Sequence, residues 1–168
     1  MAKHFVIDKG LSNTFALTHV VASGTSASIA RGTPTKTTVA DASIVGAAVI
    51  MVDGDGSVTA MRFAGICKRP STETTTVAGT VDTWAPVPGI LYRGFPLTAG
   101  TVDTQAEINA LTGKRVVFDL TSSAWTVDTA AADALVNCVV IVGGLPNSDE
   151  VLFVYSAKGT MFDTSTSM

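Results

Sequence analysis

Across 168 residues the chain is 46% hydrophobic and only 15% charged, with a formal net charge of -3. Threonine (24), alanine (22), valine (21) and serine (13) make up nearly half of it. That composition excludes a disordered chain (too apolar), a disulfide scaffold (two cysteines) and a coiled coil (too few Glu, Lys and Leu). A chain of this size buries about 69% of its unfolded surface, so one core with an arm or tail left over is expected.

No apolar run reaches the ~18 residues of a membrane-spanning helix. The longest, Cys138-Val139-Val140-Ile141-Val142, stops at Gly143-Gly144. Near the start, Asp8 and Lys9 interrupt Phe5-Val6-Ile7, so no signal-peptide core forms and synthesis in the cytoplasm is expected. Cys67 and Cys138 lie in strand-like apolar runs without metal-ligand spacing and read as core residues. Charge is uneven. Residues 1–70 hold seven basic against four acidic groups, and residues 71–168 hold four against ten. The division suits contacts between copies or with a partner, or is chance in a chain with few charges; it is too weakly basic for nucleic acid.

Residues 1–38 read as an extended arm. Short apolar clusters (Phe5, Val6 and Ile7, then Phe15 and Leu17) are strung between Ser/Thr/Gly segments that offer little to pack against. The other reading is an ordinary first strand pair. Residues 39–160 read as a β-domain and 161–168 as a frayed tail. Ala42–Val52 and Ser57–Ile66 are strand-like and flank Asp53-Gly54-Asp55-Gly56, a hairpin signal because glycine takes positive φ freely. The same four residues lack the later ligands of a calcium loop.

Three prolines (Pro86, Pro88, Pro96) punctuate the stretch holding Trp84, Tyr92 and Phe95, which predicts an edge strand or exposed loop. Its aromatics either form a stiff docking surface or close one end of the core. Thr104-Gln105-Ala106-Glu107 is a capping box opening a helix to about Leu111, with Gly113 as its stop. Beyond it lie a strand over Arg115–Leu120, a Ser122-Ser123 turn, a helical turn within Thr129–Leu135, and a strand pair over 137–142 and 151–155. Ala78–Thr83 recurs letter for letter as Ala99–Thr104, and Thr126–Thr129 gives a shorter copy. Each copy is expected to end an extended segment and cap the next one.

Chemistry-bearing motifs are absent from the sequence. His4 and His19 both lie in the arm, and no nucleophile elbow, phosphate loop or His-Glu-x-x-His occurs. The expectation is a protein that is no enzyme, holds no cofactor or metal, and works through contacts with other protein. Membrane and nucleic-acid partners are not expected.

In style the chain resembles capsid decoration (cement) proteins of tailed bacteriophages. The likeness rests on the arm, the Val/Thr/Gly-rich β-domain, Leu111–Leu120 through Trp125–Asp128, and the closing Val139–Gly144. It implies a small β-sandwich or β-barrel, often a homotrimer, on the outer surface of an icosahedral head with its arm across neighbouring capsid subunits; the residues themselves point to a mainly β single domain with one or two short helices. The partner it implies is the major capsid protein, and no site residue carries over. From the residues themselves, the candidate contacts are Phe5, Val6, Ile7, Phe15, Leu17, Trp84, Tyr92 and Phe95. Other virion parts (head fibre, tail tube, baseplate) remain alternatives. So does a carbohydrate-binding sandwich, in which Trp84, Tyr92 and Trp125 stack on sugar.

Overall fold

The computed structural model describes residues 6–9, 16–23, 29–37, 48–50, 62–87, 89–135, 137 and 139–156. The Asp53–Gly56 hairpin, the 161–168 tail, His4, Phe5, Phe15 and Cys138 lie outside the described residues. The fold is mainly β, with two antiparallel sheets. Numbered along the chain, one sheet runs in the order β1 (Val6–Lys9), β7 (Leu91–Gly94), β11 (Glu150–Tyr155), β10 (Val139–Leu145), β8 (Arg115–Thr121), β9 (Ala124–Asp128). The other runs β2 (Ala16–Val21), β6 (Gly79–Trp84), β5 (Arg62–Arg69), β3 (Pro34–Thr37), β4 (Ala48–Ile50). Its end strands β2 and β4 approach each other, so this sheet curls into a half-barrel.

Alternation builds the main core. Along β11, Val151, Phe153 and Tyr155 turn inward while Glu150, Leu152 and Val154 turn outward. Phe63 of β5 reaches across from the other sheet, its ring 4.3 Å from Tyr155 and 5.9 Å from Phe118. Tilted and edge-on aromatic pairs of this kind add about 0.5–1.5 kcal/mol each beyond area burial. Val21, Ile29, Ala48, Cys67 and Val81 fill the half-barrel as a second core, and Ile50 packs against both.

A β-bulge lets β5 serve the two cores. Phe63 and Ile66 both enter the main core although they stand three residues apart, which strict alternation forbids. Opposite β3, Thr35 pairs with Gly65 and Lys36 with Phe63, leaving Ala64 as the extra residue. Gly65 takes φ +121°, and a Cβ there would lie 2.0 Å from the Trp84 carbonyl oxygen. Two buried threonines donate to the bulge's carbonyls: Thr83 Oγ1 to Ala64 (3.0 Å) and Thr35 Oγ1 to Gly65 (2.8 Å). Threonine inside this barrel is therefore a matched donor.

The helix α1 (Gln105–Leu111) forms behind its capping box: Thr104 Oγ1 accepts from the Glu107 amide, and the Glu107 carboxylate accepts from the Thr104 amide. It rests on β10 and buries Ile108 in the main core. Ser122 and Ser123 make the β8–β9 turn with φ of 52° and 65°, the double positive φ of a primed hairpin turn. Other expectations are corrected. Thr129–Leu135 holds no helical turn; the Asp128 carboxylate accepts from the Ala130 and Ala131 amides and sets a local turn instead. The second and third copies of the repeat cap as expected, through Thr104 and Asp128. The first lies within β6, where pairing with β2 and β5 uses the backbone.

The arm is also corrected over its described residues. β1 pairs with β7, β2 with β6 over six consecutive residues, and β3 with both β4 and β5. The short apolar clusters found partners far along the same chain, which their spacing alone does not reveal.

Candidate functional site

The eight candidate contact residues do not form one surface. Phe5 and Phe15 are outside the described residues, and Val6 and Ile7 of β1 pair with Arg93 and Tyr92. Leu17 is half-buried and shares its face of β2 with His19 and Val21, toward the second core. The aromatic stretch is a correction. Tyr92 is fully buried between Phe153 (5.7 Å) and Tyr155 (4.9 Å), with its hydroxyl donating to the Ala85 carbonyl. Trp84 is 8% exposed, beneath the Arg31 guanidinium 5.9 Å from its ring. The prolines flank β7 instead of interrupting it, so the strand pairs on both sides and its alternation turns Tyr92 inward. Phe95 is half-buried where residues 95–97 line the outer edge of β9, the Phe95 carbonyl accepting from Val127 and the Leu97 amide donating back. With Trp125 also buried, these three rings form no sugar-stacking face.

A polar group sits between β2 and β6. His19 Nε2 lies 3.1 Å from Thr83 Oγ1, whose own proton goes to Ala64, so the imidazole donates from Nε2. Burial lowers the His19 pKa, partly offset by hydrogen bonding to the Ala64 backbone. Cys67, beside it in the second core, has its thiol pushed up to about 12, first by burial and then by the Asp82 charge. At neutral pH the half-buried imidazole is therefore mostly uncharged and the buried thiol stays protonated.

The surface that sequence reasoning missed is the outward face of the six-stranded sheet. Leu91 on β7, Leu152 and Val154 on β11, Val140 and Val142 on β10, and Val117 on β8 alternate with the core residues and point away from them. Val154 stands directly opposite Val140, and a bulge between Ile141 and Gly143 leaves Val142 42% exposed. An antiparallel sheet with one free face normally shows polar residues there. Its signal was present: Val139–Val142 and Val151–Val154 are apolar on both parities, the pattern of a strand covered on both sides.

Charge follows the layers. Among described side chains, residues 16–87 contribute Arg31, Lys36, Lys68 and Arg69 against Glu73 and Asp82; residues 89–156 hold three basic groups against seven acidic. The asymmetry along the chain thus becomes an asymmetry between its two sheets. The Arg69–Asp82 pair (3.0 Å) is exposed on the arginine side and adds little stability. No helix among the described residues is long and apolar enough to cross a membrane. No family model, curated protein or solved structure matches this chain.

Proposed function

We propose that the protein is a structural virion component, a decoration protein that binds the outer surface of an icosahedral phage capsid as a homotrimer and bridges neighbouring major capsid subunits. The observation that carries this reading is the aliphatic outward face of the six-stranded sheet, where Val142 is exposed and Leu91, Val117, Val140, Leu152 and Val154 are half-buried, a second apolar surface beyond the one the sandwich core uses. Apolar area left in water is a contact surface or a liability. In a chain with 15% charged residues and a composition rich in Thr, Ser and Ala, contact with other protein is the use that fits.

Cement of this kind stabilises a shell because subunits cannot separate without breaking additional contacts. Only the expanded lattice presents all those contacts at once, and multivalency then raises a modest single-site affinity. The test is co-sedimentation of the purified chain with expanded empty heads of the encoding phage, followed by imaging of the decorated heads. Saturable binding to the outer surface is expected. A folded chain that stays in the supernatant at every ratio overturns the reading.

A further inference from the structure

We draw no further inference here: the strongest candidate, the aliphatic outward face of the six-stranded sheet around Val140, Val142 and Val154, belongs to the surface already described, and nothing in the structure shows what covers it.

Discussion

Replacing Gly65 by alanine tests whether the bulge in β5 holds the two cores together. At φ +121° a side chain is strained, which costs roughly 1–3 kcal/mol. The new Cβ also falls 2.0 Å from the Trp84 carbonyl oxygen and 3.2 Å from Thr83 Cβ, backbone and β-branched neighbours that cannot swing aside. Overpacking of this kind costs about 1–3 kcal/mol more. The sum, about 2–6 kcal/mol, is a large share of the 5–15 kcal/mol typical of a domain. At about 2–4 °C per kcal/mol for this size, a mid-range loss of about 4 kcal/mol lowers Tm by roughly 8–16 °C. Gly113→Ala is the internal control: its φ is +91°, but nothing lies within 4 Å of the added Cβ, so only the backbone strain applies. Thermal and urea unfolding followed by tryptophan fluorescence compares the two. Gly65→Ala is expected to be worse than Gly113→Ala by at least about 1 kcal/mol; equal losses would refute the close approach as the cause.

Two further outcomes concern the second core. His19 has a pKa below its ordinary 6.5 in the folded chain, so just below pH 6.5 the unfolded chain binds more protons and stability falls as pH drops. In His19→Gln that part of the acid slope is expected to disappear from pH-dependent melts, and an unchanged slope shows that His19 is not its source. For Cys67, a thiol pKa of about 12 leaves about one thiolate in ten thousand at pH 8, against roughly a quarter for an ordinary cysteine near 8.5. A Cys138→Ser chain should therefore react with a thiol reagent only after unfolding, and prompt labelling of the native chain at Cys67 contradicts the buried assignment.

Much of the local structure was legible without coordinates. The capping box at Thr104, the strand from Arg115, the serine turn and the closing strand pair depend on neighbours a few residues away, and physics acting over that range is written in the sequence. The mainly β class came from alternation and β-branched composition for the same reason.

What only the tertiary structure decided was which side of each pattern is covered, and by what. Alternation says that β7 has two faces; the packing of Phe153 and Tyr155 turned Tyr92 inward and removed it from any docking surface. Identical letters at 78–83 and 99–104 became a central strand and a helix cap, because β2 and β5 pair with the first copy whereas the second has no strand partner and is held by Val102 in the main core and by Asp149 on the Gly100 amide. The segments expected as an arm found β7, β6 and β5 in the same chain. In each case the deciding contact joins residues far apart in sequence. A local pattern states a preference for burial, and long-range pairing supplies the neighbour that satisfies it.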